Sequence, residues 1–160
     1  MLSTEQSAYI AGFLDGDGSI NVKIERRPAH TSTGFVLKPR LSFTQHTRNR
    51  VVLDTIRQWI GSGSVADYPS KQLSELVIRD KTSILATIEQ ILPYLIVKEK
   101  VATLMLSFLR IPMKRGMRRM ELFRKRYKIA VQIRSRNLTP KKYLRITALD
   151  PVTTDPERER

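Results

Sequence analysis

The hydrophobic period of this chain changes at Gly18, and that change sets a helix and a strand side by side. Ser3 can cap a helix, and Gln6, three residues on, completes a capping box before the apolar residues begin, so a helix is expected from Ser3 to about Gly16. Beyond Gly18, Ile20, Val22 and Ile24 alternate with Ser19, Asn21, Lys23 and Glu25, the two-residue period of a half-buried strand. Within the helix, Ala8, Gly12 and Gly16 fall four apart, on one stripe where a second helix backbone could come close, while Tyr9, Ile10, Phe13 and Leu14 bring apolar bulk. The same spacing also serves tight helix packing inside one chain.

A loop with Pro28, His30, Thr31, Ser32, Thr33 and Gly34 leads to a second alternation, Leu37, Pro39, Leu41 and Phe43 against Lys38, Arg40, Ser42 and Thr44. Pro39 cannot donate to a ladder, which predicts an edge position or a bulge. Thr47 to about Ile60 has helical spacing and stops at Gly61, and two short strands follow at roughly Ser64–Tyr68 and Leu73–Arg79. Asp80 caps a helix running to about Leu92, where Pro93 stops it; helices are then expected over about Pro93–Arg110 and Arg115–Arg136. The element order is helix, two strands, helix, two strands, helices, an α+β chain read as one domain over residues 1–150, with 151–160 a frayed tail.

Charge narrows the partner. Lys and Arg number 29 against 15 Asp and Glu, a formal +14, and such an excess repels itself unless a polyanion relieves it. Counting from Arg110 to Arg145 gives fourteen basic residues and one acid, Glu121, so the excess is concentrated on one stretch. Nucleic acid is the expected partner. A membrane surface is the rival polyanion, but no lipidation motif, amphipathic anchor or apolar run of spanning length accompanies the charge. The absence of cysteine excludes disulfides and thiolate metal sites and fits a reducing, intracellular setting. His30 and His46 lack the partner spacing of a zinc site.

Asp15 and Asp17 close the first helix, with glycine on each side of Asp17. Two neighbouring carboxylates repel, and both face the negative end of the helix dipole, so a cation there would relieve the strain. Oxygen donors without His or Cys favour Mg²⁺ or a similarly hard ion such as Mn²⁺. Taken alone, Asp-Gly-Asp-Gly is also ordinary turn chemistry.

The stretch Tyr9-Ile10-Ala11-Gly12-Phe13-Leu14-Asp15-Gly16-Asp17-Gly18-Ser19-Ile20 resembles the LAGLIDADG motif of homing endonucleases. The resemblance extends to the element order, αββαββα followed by C-terminal helices, and so to most of the chain. It implies a four-stranded antiparallel sheet that binds DNA, with a motif helix that packs against a second copy through its small residues. It also implies that Asp17 and the Gly16 carbonyl are metal ligands, Asp15 being more structural. A single motif implies a homodimer, with Ala8, Gly12, Phe13 and Gly16 at the interface and Ile10 a further candidate. Gln45, just after the second strand, is implied beside the metal–water network, and Lys98 near the scissile phosphate, where it would stabilise developing charge. A basic residue expected shortly after the Gln is replaced by Asn49, leaving Arg48 or Arg50 as substitutes.

The sheet's polar side chains are then the candidates for reading double-stranded DNA in the major groove: Ser19, Asn21, Lys23, Glu25 and Arg27 from the first strand, Lys38, Arg40, Ser42 and Thr44 from the second. Ser64, Ala66 and Tyr68 continue the row, with Glu75. The loop residues His30, Thr31 and Ser32 are expected to reach outer bases, and Lys141 and Lys142 to touch phosphates. The implied activity is a metal-dependent double-strand cut at a long pseudo-palindromic site. An RNA maturase acting on intron RNA, and a non-catalytic DNA-binding protein of the same fold, are the alternatives.

Overall fold

In the computed structural model, which describes residues 1–27, 33–112 and 119–137, helix α1 (Thr4–Asp17) runs directly into strand β1 (Gly18–Arg26). The capping box forms as expected: Gln6 N–H donates to Ser3 Oγ at 3.2 Å, and Ser3 N–H donates to Gln6 Oε1 at 3.0 Å. The join has no spare room. A Cβ at Gly18 would fall 2.8 Å from Leu14 Cα and 2.9 Å from its carbonyl oxygen, so a side chain there would push the strand off the helix that feeds it.

Strand β2 (Phe35–His46), helix α2 (Arg50–Ile60), strands β3 (Ser64–Tyr68) and β4 (Leu73–Ile78), and helices α3 (Lys81–Ile91), α4 (Glu99–Arg110) and α5 (Arg119–Asn137) complete the described chain. All strand pairs are antiparallel, in the order β1-β2-β4-β3. Gly61 ends α2 in the left-handed region at φ 73°, its N–H donating to the Arg57 carbonyl. β2 pairs with β1 over Phe35–Phe43 but with β4 only over Leu41–His46. Pro39 therefore sits in a central strand yet beyond the end of β4, where the missing N–H interrupts no ladder bond on that side.

One face of the sheet is dry. Ile20, Val22, Leu41, Phe43, Leu76 and Ile78 meet Ile10 and Leu14 of α1, Leu53 and Ile56 of α2, Ile84 and Ile88 of α3, and Met105 and Phe108 of α4, all at most 1% exposed. Burial of each such side chain contributes about 1.5–3 kcal/mol. α5 lies over β1 and α4, and Asn137 Nδ2 donates to the Ile20 carbonyl at 2.6 Å. Among the described residues no helix is long and apolar enough to cross a membrane.

One helix boundary differs from expectation. The helix expected from about Pro93 begins only at Glu99: Leu92–Tyr94 is a 3₁₀ turn carrying the proline, Leu95 is extended, and residues 96–98 are held outside the helix by Asp15. The last helix is described from Arg119 to Asn137; its expected start at Arg115 and the 151–160 tail lie outside the described residues.

Candidate nucleic-acid interface and acidic helix base

The other face of the sheet is polar, and the register lays its side chains out in rows. Ser19 stands opposite Ser42, Asn21 opposite Arg40 and Lys23 opposite Lys38. Further along, Thr44 faces Glu75, which faces Ala66, while Val77 lies between Ser42 and Ser64, and Leu73 faces Tyr68. Ser42 is covered by its neighbours at 4% exposure. The acids on this face act as counter-ions to its bases. Lys38 Nζ lies 2.6 Å and Lys23 Nζ 2.8 Å from Glu25, Arg27 lies 3.5 Å away, and Arg40 pairs with Glu75. Hydrogen bonds from Lys23 and Lys38 hold the Glu25 carboxyl down to about 2. The bases of this face are thus held in place by acids on the same or the neighbouring strand.

At the base of α1 the two aspartates have separate surroundings. Asp15 Oδ2 accepts the N–H of Ile96 at 2.7 Å and of Val97 at 3.0 Å, and Oδ1 accepts that of Lys98 at 2.9 Å. Lys98 Nζ returns a hydrogen bond to the Asp15 carbonyl at 2.6 Å. An acid badly placed at the negative end of α1 is thereby well placed at the positive end of α4, which lacks a side-chain cap of its own. Burial pushes the Asp15 carboxyl up, but the three N–H donors and the Lys98 ammonium outweigh it and leave the group below its usual 3.8. Asp17 is exposed, and among the described residues no hydrogen bond or ion pair engages its carboxylate.

The clamp yields a prediction. Asp15→Ala leaves three N–H groups to water and is expected to cost about 1–3 kcal/mol, discounted for their partial exposure, as a lowered urea midpoint at unchanged slope. Because the folded pKa is depressed, the Asp15 contribution is full above the unfolded value of 3.8 and is lost as pH falls through the lower folded value. A wild type whose acid unfolding matches that of Asp15→Ala would show that the clamp contributes nothing.

Lys98, expected near reacting phosphate, sits at the N-cap of α4 rather than inside a helix, its ammonium two residues from Asp17. Gln45 lies two residues beyond the Gly18–Phe43 pair, on the helix side of the sheet, opposite Ser74; its Oε1 accepts the His46 N–H at 2.8 Å. Arg50, one substitute for the basic residue missing at Asn49, is bound to Asp54 and Asp67 at 3.1 and 3.0 Å, so it belongs to the scaffold; Arg48 is exposed.

Ala8, Gly12 and Gly16 line an exposed stripe, and a Cβ at either glycine would meet nothing within 4 Å. Phe13 is half-buried beside it, stacked on Tyr9, which in turn meets Trp59 edge-on at 5.7 Å. Ile10 is a correction: it is fully buried in the core of its own chain and has no surface to offer a partner. His30, Thr31, Ser32, Lys141 and Lys142 lie outside the described residues.

Two features escaped the sequence reading. Arg79, one step past β4, borders a cleft with Lys23, Lys38 and Arg40 on the polar face; its parity with Glu75 and Val77 was the available signal. Ile96 and Val97 are 87% and 73% exposed beside the base of α1, because the Asp15 clamp turns them outward. No local pattern marks that, since the clamp joins residues more than eighty apart.

The LAGLIDADG endonuclease family model matches residues 10–109. DNA endonuclease I-CvuI of Chlorella vulgaris is 34% identical over 103 residues, 64% of this chain and 63% of the relative; DNA endonuclease I-CreI of Chlamydomonas reinhardtii is 33% identical over 105 residues, 63% and 60%. The chain thus spans about three fifths of the length of these curated relatives. Among solved structures, the homing endonuclease I-TnaI superposes with a TM-score of 0.73 at 25% identity, covering 94% of this chain and 99% of that one. I-CvuI in complex with its target in the presence of 2 mM Ca superposes at 0.72 and 26% identity, covering 81% and 80%. The motif helix, the four-stranded antiparallel sheet it feeds and the match across most of the chain agree on one conclusion, that this protein belongs to the LAGLIDADG endonuclease family, in its single-motif form.

Proposed function

We propose that the chain is a homing endonuclease that works as a homodimer, binds a long pseudo-palindromic DNA site on two copies of its polar sheet face, and cuts both strands by divalent-metal-dependent phosphodiester hydrolysis. The observation that carries the reading is the division of labour at the base of α1: Asp15 is committed to the fold, and Asp17 is left exposed at the foot of an open stripe of small residues. The relatives named above as DNA endonucleases, and the I-CvuI structure in complex with its target, support the same reading.

Two α1 helices meeting along Ala8, Gly12 and Gly16 bring their Asp17 carboxylates together at the two-fold axis. Phe13 and the exposed Ile96 and Val97 extend that contact. The residues fit a hard divalent ion. Asp17 and the Gly16 carbonyl are oxygen donors, with no His or Cys beside them, and would hold Mg²⁺ or Mn²⁺. The ion, when bound, supplies an activated water and charge stabilisation at the leaving oxygen. Lys98, steadied on the Asp15 carbonyl, meets negative charge developing on the phosphate, and Gln45 orients water at the strand end. Lys23, Arg40 and Asn21 read base edges, and Lys38 and Arg79 approach the backbone.

The test is cleavage of a randomised duplex library. With Mg²⁺ the expected products map to one family of pseudo-palindromic sites; with chelator no product forms, and added Mg²⁺ restores it. Tight duplex binding with no cleavage in Mg²⁺ or Mn²⁺ would sink the nuclease reading, and accelerated splicing of an intron RNA by the same preparation would move it to a maturase.

A further inference from the structure

The polar sheet face carries its charges at two depths. The Glu25 side chain is 18% exposed, whereas the bases around it stand higher, Lys23 at 69%, Arg27 at 51% and Lys38 at 48%. The register explains the gathering. Lys23 and Lys38 are directly opposite each other across β1 and β2, a like-charge pair that repels. Glu25, two residues on from Lys23 and opposite Val36, shares their face and lies diagonal to Lys38. Its two oxygens are divided between them, Oε1 at 2.8 Å from Lys23 Nζ and Oε2 at 2.6 Å from Lys38 Nζ. Arg40 and Glu75 make a one-to-one pair, but Glu25 is shared, and both lysines lose their anchor together if it is removed.

An anchored lysine is not a silenced one. An ammonium group has three donors, of which Glu25 occupies one, so each lysine can still donate outward. A duplex whose acceptor atoms fall where the ammonium groups are already held takes those donors and leaves the Glu25 bonds intact. A duplex of any other sequence engages Lys23 and Lys38 only by drawing them to the nearest phosphates, which strips the carboxylate and leaves it facing a polyanion. The hydrogen bonds from the two lysines also keep the carboxyl charged far below neutral pH, so this penalty does not fade under ordinary conditions.

We propose that Glu25 is a specificity-determining residue, a positioning acid beneath Lys23 and Lys38 that weakens binding to arbitrary duplex while leaving the target site little affected. This role presupposes the DNA-binding reading of the polar face. Its sign is opposite to that of an acid that reads a base, since loss of a reader weakens the target and loss of Glu25 strengthens everything else.

The experiment compares wild type with Glu25→Gln in chelator, where nothing is cut, on two duplexes: the sequence that wild type enriches from a randomised duplex library, and a scramble of it. Dissociation constants are measured over a salt series. Glu25→Gln is expected to bind the scramble about tenfold tighter at about 0.1 M salt, with a salt slope steeper by about 1–2 as one or two lysines are released, and the enriched site within about threefold of wild type. Glu25→Gln combined with Lys38→Gln is expected to lose most of the gain on the scramble. Glu89→Gln makes the same change of net charge and frees Arg110, but that pair joins α3 to α4 in the helix layer, and both duplexes are expected to stay within about twofold of wild type. An unchanged ratio between the duplexes in Glu25→Gln overturns the role, and so does a loss confined to the enriched site, which marks Glu25 as a reader. Equal gains on the scramble from Glu25→Gln and Glu89→Gln also overturn it, because net charge is then the cause. If Glu25→Gln does not fold, Glu25→Asp decides: its carboxylate is withdrawn by one methylene, a gain of about threefold on the scramble is expected, and no gain overturns the role. A wild type that enriches no duplex removes the DNA-binding reading and this role with it, whereas selective wild-type binding with an unchanged ratio in the variant removes this role alone.

Discussion

Replacing Asp17 by Asn is expected to lower the single-turnover cleavage rate at least about 1,000-fold while leaving duplex affinity within a few-fold of wild type. The amide keeps the shape of the carboxylate and removes its charge, so the loss falls on metal binding. A 1,000-fold effect corresponds to about 4 kcal/mol of transition-state stabilisation, within what a metal ion contributes to phosphoryl chemistry. The neighbouring carboxylate, Asp15, already accepts three backbone N–H bonds and could turn to a metal only by releasing them. Asp15→Asn is therefore the instructive control, expected to weaken the fold more than the chemistry. Cleavage by Asp17→Asn within tenfold of wild type would remove Asp17 from the mechanism.

Gly12→Leu is expected to convert the protein to a monomer that folds at least as well as wild type but makes no double-strand cut. Within one chain the change is harmless, since a Cβ at Gly12 meets nothing within 4 Å and Leu is the better helix former by about 0.8 kcal/mol. Between two chains it puts a branched side chain where helix backbones would touch, and a weakening of association by more than about 100-fold is expected. Sedimentation of the variant beside wild type reads the first effect and a plasmid substrate the second. A dimeric Gly12→Leu protein would show that the copies meet elsewhere. Gly18 behaves oppositely, because its tight neighbour is Leu14 of the same chain, so Gly18→Ala weakens the monomer itself.

Much of this arrangement was legible in the residues because the relevant interactions are local. The capping box, the period change at Gly18, and the polar and apolar sets of β1 and β2 each depend on neighbours within a few positions, and each appears where the pattern put it. The single motif and its two aspartates were legible for the same reason. What sequence could not show joins distant positions. The Asp15 clamp reaches eighty residues ahead, delays the start of α4 and decides which of two adjacent acids stays free. Arg126 looked like one more base in a basic helix, and only the placement of Phe108 beneath it shows that it is buried. Pro39 was expected at an edge or a bulge, yet the strand carrying it is central and its register with β1 is unbroken; only the shortness of β4 leaves β2 open on one side there.

That mismatch of strand lengths has a mechanical consequence. From Leu41 onward β2 is clamped on both edges, while the part from Phe35 to Arg40, with its partner segment of β1, projects as a two-stranded beam supported along one face by α5. Two-stranded ribbons twist more readily than wide sheets, so the outer end is the compliant end and the inner end the stiff one. A cantilever of this kind can bend to follow a curved groove without disturbing its root, which here is anchored next to Gly18 and the acids.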